Sequence, residues 1–533
     1  LSQLLQRAAK AVVPPFNPHV KEGVVYTHLK HAMSHIDMIW RCAAEDWPES
    51  VKYLRMERCT PEEHFNFVSG KRHGKHQLEM APTDVFLTKV YLSYQGRQLE
   101  PRYLYLPFTD QAGRIRLRGP EHTIHPVLAD ITISVTKNGI YMPFSRSKLT
   151  YERLSHSFQQ NGKPATGYAV WSGVHSYAEK ESGKNVMYTT LTHYLFCKFG
   201  VIGTFKRIFG ETCNVQLFGP ERKLSDFPES DWVICTSLGV APKTIRGVAR
   251  KMYRPSKVRL AIPREFWNEF SCNLIAGFFY VVDNYPERLL PQYCDHVRVW
   301  TTILGLIIFK NDSREGKVYE NTLVHLDSTD SYVDAVVREE LAEAGIYCND
   351  TYEFFAYVIQ NISMWIMTTN PGTMHGKRLR VLRYVLSDIV QAIFKFSFRI
   401  KNDNRRQLNE RRLTMAISKY IKPELIFNLS RGHGEVSVVS SPGDNMAYKF
   451  TGALVLQSDA TGGRSRSKVS LTDPARALHS SIASVGSYPN QPKSDPTGRG
   501  KLNLAANVQA DGTVLPNPEF QPLLDRAQEI FER

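Results

Sequence analysis

An α+β fold spread over several domains is what this sequence predicts, on three observations. The 533 residues are 42% hydrophobic and 22% charged, an ordinary globular balance at a length that accommodates about two to four domains. The pattern changes along the chain, from helical spacing to short β-branched and aromatic runs broken by turn signals, and back. A stretch rich in Gly, Pro and Ser, residues 446–518, then follows a long basic amphipathic segment and marks a further module. These shifts place boundaries near residues 150, 350 and 445.

The opening residues read as helices. SQLLQRAA and THLKHAMSHIDMIWRCAAEDW carry apolar residues at three-to-four spacing. His28, His31 and His35 fall near one face of the second segment, with no Cys or HExxH pattern beside them. They read as surface or core histidines rather than zinc ligands. From residue 79 short strands take over: VFLTKVYLSYQ, RYLYLPF, RIRLRG and HTIHPVLADITISVTK are rich in β-branched and aromatic residues and broken by turn signals.

Residues 150–350 mix strands, TGYAVWSGVHSYA and the apolar run through MYTTLTHYLF, with helices such as Tyr332–Ala344, and read as an inserted domain. Val299–Phe309 (VWTTILGLIIF) is the longest apolar run. It falls well short of the ~20 residues that a bilayer needs, so no membrane partner is expected. The first residues, LSQLLQRAAKAVV, lack the apolar core and cleavage site of a secretory signal. Eight cysteines lie far apart without a CxxC pair, which suits reduced thiols better than disulfides or structural zinc.

Residues 370–401, NPGTMHGKRLRVLRYVLSDIVQAIFKFSFRIK, read as a loop and a long amphipathic helix. Val381, Leu382, Val385, Leu386, Ile389, Ile393 and Phe396 form its apolar stripe; Lys377, Arg378, Arg380, Arg383, Lys395, Arg399 and Lys401 decorate the rest. Arg405, Arg406, Arg411 and Arg412 extend this basic run, and the chain ends on an amphipathic PEFQPLLDRAQEIFER. A formal charge of +15 and a pI near 9.3 point to an anionic partner, most often nucleic acid.

The segment 446–518 carries Gly462, Gly463, Gly486, Gly498, Gly500 and Gly512, with Arg464, Arg466, Lys468, Arg476, Arg499 and Lys501 against few carboxylates. Such loops bring backbone N–H groups and guanidinium forks to phosphates. Composition alone leaves an ordered basic loop system and a Ser/Gly/Arg linker both open.

Catalytic signatures are missing. GTMHGKR (Gly372–Arg378) is one residue short of a phosphate loop and lacks Ser or Thr after Lys377. There is no GxSxG elbow, HExxH or EF-hand loop. Asp327, Asp330 and Asp334, with Glu339 and Glu340 following, read as an acidic helix start.

Three separated blocks give the chain a family resemblance. Pro107–Glu121, PFTDQAGRIRLRGPE, is similar to the strand–turn–strand "P-L-M-T-x-x-G-x-F-x-I-N-G-x-E" of the β (second-largest) subunit of multisubunit DNA-dependent RNA polymerases, with Arg118 where that family has Asn. His375–Ile400 resembles its "D-x-x-G-x-[KR]-R-[IL]" and long helix through Gly376, Lys377, Arg378 and Leu379, with Asn370 or Thr373 in place of the upstream Asp. In the third block, Phe450–Gly452 resembles the "A-T-G" turn and Gly462–Lys468 stands where fork loop 2 does. Arg476–His479 matches "R-x-x-H", and Pro496–Asn503 resembles "P-E-G-x-x-x-G-L-I-N", followed by a β-hairpin at Gln509–Pro516. Thr497 and Ser494 replace family Glu residues in the pocket for rifamycin-type drugs, which argues against sensitivity to them.

The resemblance implies the N-terminal half of a β subunit: protrusion at 1–150 and 351–445, lobe at 151–350, fork region at 446–533. It implies that Arg464, Arg466 and Lys468 contact DNA phosphates, that Arg476 faces the active centre and that His479 binds nucleic acid. Lys501 and Asn503 would support the RNA–DNA hybrid or the loop, with Lys377 and Arg378 as further nucleic-acid-binding residues. No catalytic residue and no metal ligand is expected here; Mg²⁺ would be held by a β′-like partner. The chain stops where β subunits continue, as in giant nucleus-forming bacteriophages, whose β and β′ are each divided between two polypeptides. The implied partners are a β C-terminal polypeptide, two β′-like polypeptides, a phage specificity subunit, template DNA, nascent RNA and NTPs. The implied setting is the host bacterial cytoplasm or a phage nucleus within it, in a non-virion rather than virion-packaged enzyme. The alternative is a non-enzymatic nucleic-acid-binding phage structural or packaging protein.

Overall fold

The computed structural model describes residues 22–431 apart from 46, 71–81, 125, 131–132, 137, 145–147, 176–185, 239–255, 310–314, 370–372, 374–376 and 405–407; beyond these it describes 438–440, 457–458, 481, 506–515 and 522. The chain is mixed helix and sheet and divides into two compact units, 1–132 with 370–533, and 133–369. The boundary expected at 150 falls inside the strand Lys148–Gln160, and the one at 350 falls on the N-cap of the helix Thr351–Thr368.

In the first unit, helices α1 (Val24–Leu29) and α2 (Ala32–Ala44) precede a four-stranded antiparallel sheet. Its members are β1 (Val51–Arg58), β2 (Val85–Tyr94), β3 (Arg97–Gln98) and β4 (Arg102–Pro107). The central β2 pairs β1 from Val51↔Tyr94 and β4 from Val85↔Pro107. A short helix, α3 (Pro61–Gly70), links β1 to β2. The hairpin β5 (Arg114–Arg116) and β6 (Glu121–Ile124), then β7 (Val127–Asp130), complete the N-terminal portion.

The chain returns to this unit through β16 (Lys377–Arg380), a short helix (Leu382–Val385) and the helix Ser387–Asn404. This corrects the single long helix expected from the periodicity, whose first turn is a strand. The returning helix is pinned to α2 by aromatic packing. Phe396 sits 6.0 Å from Trp40 and 5.5 Å from Trp47, ring centroid to centroid. Trp47 Nε1 donates to Ser397 Oγ at 2.9 Å, and Ser397 donates to the carbonyl of Ala43. Rings of this size dominate core energetics, and the indole N–H finds its acceptor. The helix Glu410–Tyr420 follows, capped by Asn409, and β17 (Val438–Ser440) then pairs β6.

The second unit is an eight-stranded antiparallel sheet covered by helices. Its spine is the hairpin β10 (Lys148–Gln160) and β11 (Lys163–His175), ten residue pairs from Tyr151↔Ser172 to Gln160↔Lys163. β8 (Ser134–Thr136) and β9 (Gly139–Pro143) join on β10; β12 (Val186–Thr190) pairs β11; β14 (Trp232–Ser237), β15 (Arg259–Pro263) and β13 (Gln216–Phe218) extend the other edge. The helices α4 (Leu191–Phe209), α5 (Glu269–Asn284), α6 (Val297–Ile308), α7 (Glu315–Asp330), α8 (Ala335–Ala342) and α9 (Thr351–Thr368) complete it. The core between them includes Phe158, Phe196, Phe278, Phe279, Trp300, Phe354 and Phe355.

Three sequence expectations shift here. The apolar run through MYTTLTHYLF is strand only to Thr190, whose side chain caps the helix that follows. Tyr332–Ala344 is helical from Ala335, because Asp334 accepts Val337 N–H as N-cap. Val297–Ile308 is a buried helix, and among the described residues no helix is long and apolar enough to cross a membrane. The N-terminal SQLLQRAA and, apart from Pro522, the C-terminal PEFQPLLDRAQEIFER lie outside the described residues. None of the eight cysteines, all of them among the described residues, is in a disulfide.

Candidate functional site

The first unit gathers stretches far apart in sequence into one place, and β16 is at its centre. KRLR alternates: Lys377 and Leu379 point inward, while Arg378 and Arg380 are half-buried. Its partner is β7, in the register Lys377↔Asp130 to Arg380↔Val127. On the other edge of β7, β18 (Gln457–Ser458) runs parallel, with Gln457 opposite Val127. The sheet therefore joins the two sides of the long excursion through 133–369 and a strand from the Gly-rich segment.

A second contact comes from the hairpin β19 (Asn507–Val508) and β20 (Val514–Leu515). The family pattern implies a hairpin at Gln509–Pro516; the one observed starts two residues earlier and has Gln509–Gly512 as its turn. The N–H of Leu379 donates to the carbonyl of Gly512 at 2.7 Å, and Arg378 and Thr513 form a bridge pair. Gly512 has φ +85°, and a Cβ there would meet the Leu379 carbonyl oxygen at 2.3 Å. Only glycine combines that conformation with that approach.

Asp511 locks the turn. Its carboxylate accepts the N–H and hydroxyl of Thr513 at 2.9 and 2.8 Å and lies 3.5 Å from the Arg378 guanidinium. Partial burial pushes its pKa up, but the Thr513 hydrogen bonds and the positive charges of Arg378 and Arg380 outweigh this and hold it below the ordinary value.

The hairpin β5–β6 turns through Arg118, which takes φ +57°, a conformation rare for a side chain of its size. Its guanidinium stacks on Phe427 at 4.7 Å and lies 3.7 Å from Glu424. Both partners belong to the 3-10 helical segment Pro423–Arg431, directly after the basic helices. The turn is thus held by stacking and charge at the place where the family pattern has Asn.

Of the residues expected to bind nucleic acid, Lys377 and Arg378 are in this cluster. Their positions correct the helix-face placement. Lys377 is 3% exposed within the sheet, and Arg378 pairs with Asp511. Arg464, Arg466, Lys468, Arg476, His479, Lys501 and Asn503 lie outside the described residues. The basic side chains displayed to solvent are instead Lys395 and Arg399 on one helix, and Arg411, Arg412 and Lys419 on the next. On Glu410–Tyr420, Arg411, Met415 and Lys419 recur every four residues on one exposed stripe. Arg380, Asp511 and Thr513, which build the junction, carry no motif; its sequence signals are the Gly376–Leu379 block and Gly512 in the implied hairpin.

Among the described residues no group of three or more His, Cys, Asp or Glu could hold a metal ion. Asp327 and Asp330 close α7, where Asp330 pairs with Lys198 at 2.7 Å and accepts the Tyr352 hydroxyl, and of the three only Asp334 stands at a helix start, as the cap of α8; this corrects the acidic helix start expected of all three. His35 is pushed down to about 4 by burial, as a core histidine is.

Comparison with curated proteins finds no match. A family model described as non-virion RNA polymerase subunit matches residues 4–529. With nearly its whole length inside that match, the chain belongs to the family of non-virion RNA polymerase subunits.

Proposed function

We propose that this subunit is the N-terminal half of a divided β-like chain and forms one wall of the DNA cleft of a phage DNA-directed RNA polymerase. In this reading residues 133–369 are the lobe, 1–132 with 370–445 are the protrusion, and 446–533 are the fork region. The observation that carries it is the junction at β16. Val127–Asp130, Lys377–Arg380 and Gln457–Ser458 share one sheet, and the hairpin tip at Gly512 closes on it. The second and third of the resembling blocks, and the strand just after the first, supply these pieces. Such a junction gives the stretch of sequence that carries Arg464, Arg476 and Lys501 fixed anchors on both sides, which phosphate-contacting residues need for positioning.

Lys377 and Arg378 act in this scheme by holding the junction and its positive field. The exposed Lys395, Arg411 and Lys419 supply sequence-independent attraction for template DNA and nascent RNA. Mg²⁺ and the nucleotidyl-transfer chemistry belong to a β′-like companion. The remaining companions are the β C-terminal polypeptide and a specificity subunit.

The test uses the assembled polymerase on a primed template with NTPs. Arg476→Ala should slow elongation far more than Arg411→Ala, and the chain alone should make no RNA. Equal and equally salt-dependent losses at both positions would leave only a general electrostatic role. RNA synthesis by the isolated chain would overturn the division of labour.

A further inference from the structure

The unit 133–369 contains a cavity of about 550 Å³, within the range of about 300–1,000 Å³ typical of binding pockets. A break in α4 shapes it. At Gly200 the backbone leaves the helix (φ 72°, ψ 179°), and Asp295 Oδ1 caps the second half by accepting the N–H of Ile202 at 2.9 Å. A Cβ at Gly200 would lie 2.9 Å from the Asp295 carbonyl oxygen. Phe199, before the break, and Arg207 and Ile208, after it, all line the cavity. Helix α9 contributes Glu353, Ala356, Tyr357 and Gln360, a single helical face.

The charge of this site is specific in sign. Arg207 donates to Asp350 at 2.6 Å and lies 3.6 Å from Glu353, so one cation meets two carboxylates. The Arg207 guanidinium also covers the Phe199 ring at 4.7 Å. Among the described residues, the Gln360 amide and the Tyr357 hydroxyl have no hydrogen-bond partner, which leaves both able to bond to a ligand. The apolar surface continues outside the cavity. Tyr347, at its lining, is 82% exposed, and Met364 and Met367, on the same face of α9 as Gln360, are 49% and 78% exposed.

We propose that this cavity and strip seat a segment of a companion polymerase chain, which inserts an apolar or aromatic side chain and places a Lys or Arg against Glu353. The negative balance disfavours nucleic acid, whose phosphates the Asp350 and Glu353 carboxylates repel. A small ligand would fill the cavity and leave Tyr347, Met364 and Met367 bare. Aromatic and arginine anchors in pockets rimmed by apolar side chains are the usual centres of protein–protein interfaces. The proposal rests on membership in a polymerase of several chains, not on the β-like reading, so either can fail alone.

The experiment places the photo-crosslinker p-benzoylphenylalanine at position 360 of this chain in the assembled polymerase and identifies the product by mass spectrometry. The expected product joins position 360 to one segment of a companion polymerase chain bearing Lys or Arg beside an apolar residue. A crosslink to DNA or RNA, to a second copy of this chain, or none at all would overturn the proposal. Charge is tested at the same exposed site: Gln360→Arg should lower incorporation of that companion on reconstitution at least tenfold, while Gln360→Glu spares it. Equal losses with both variants would remove the electrostatic argument.

Discussion

The backbone N–H of Leu379 donates to the carbonyl of Gly512, 133 positions further along the sequence, at 2.7 Å. This bond and the Arg378–Asp511 ion pair dock a two-stranded hairpin onto the strand by which the chain re-enters its first unit. A lone two-stranded hairpin is marginally stable in water, so its order depends on this dock.

Gly512→Ala tests that dependence. The new Cβ would stand 2.3 Å from the Leu379 carbonyl oxygen, at a φ of +85°. Strain of this kind costs on the order of 1–3 kcal/mol, and overlap with backbone cannot be relieved by a side-chain rotation. Hydrogen exchange at the Leu379 amide should quicken by at least tenfold in Gly512→Ala, with slower exchange retained across β1 and β2. Unchanged protection at Leu379 would show that the hairpin does not depend on this approach.

The elements that were legible are those whose signal is local. Val85–Tyr94 is a strand of ten residues rich in β-branched and aromatic side chains, long enough for its composition to declare it. Lys377–Arg380 is four residues long and runs straight into a helical stripe, so its bases were read as part of the helix. Its strand state is imposed by Val127–Asp130, far away in sequence, and tertiary pairing overrides propensity in short strands. The cavity was hidden for the same reason. Gly200 is visible as a glycine in a helical pattern, but Asp295, which fixes the break, is remote. The glycine-rich stretch was read correctly at its hairpin, whose turn chemistry is contained in Gln509–Gly512.

Arg118 supports a second prediction. The residue accepts a φ of +57° and recovers stability by stacking on Phe427 and pairing with Glu424. Arg118→Ala keeps the strained backbone and loses both contacts, so it should destabilise by about 1–2 kcal/mol. Arg118→Asn loses the contacts too but tolerates the left-handed conformation; its loss should be less than half as large. Thermal unfolding of the three proteins measures the difference. If Asn proves as damaging as Ala, backbone strain at this turn is not what the Arg contacts offset.

His193 sets a pH limit on the unit 133–369. It is fully buried; its Nε2 lies 2.9 Å from the carbonyl of Trp300, and its Nδ1 lies 2.8 Å from the Thr189 hydroxyl. The neutral ring satisfies both when Nε2–H donates to the carbonyl and Nδ1 accepts from the hydroxyl. Burial pushes its pKa down from 6.5 to about 4, against the smaller opposing pull of the Trp300 carbonyl. The unfolded chain therefore binds the proton more readily than the folded one between these values. Stability from this site is fully present above pH 6.5 and falls as pH drops from 6.5 towards 4, with each pKa unit worth about 1.4 kcal/mol. His325, pushed down to about 4 by burial in the same unit, adds in the same direction. Denaturant midpoints should thus drop steeply below pH 6.5 in the wild type. His193→Gln, which keeps a donor and an acceptor but cannot ionise, should lower stability at pH 7.5 yet flatten the decline between pH 6.5 and 4. A decline of unchanged steepness in that variant would place the acid sensitivity elsewhere.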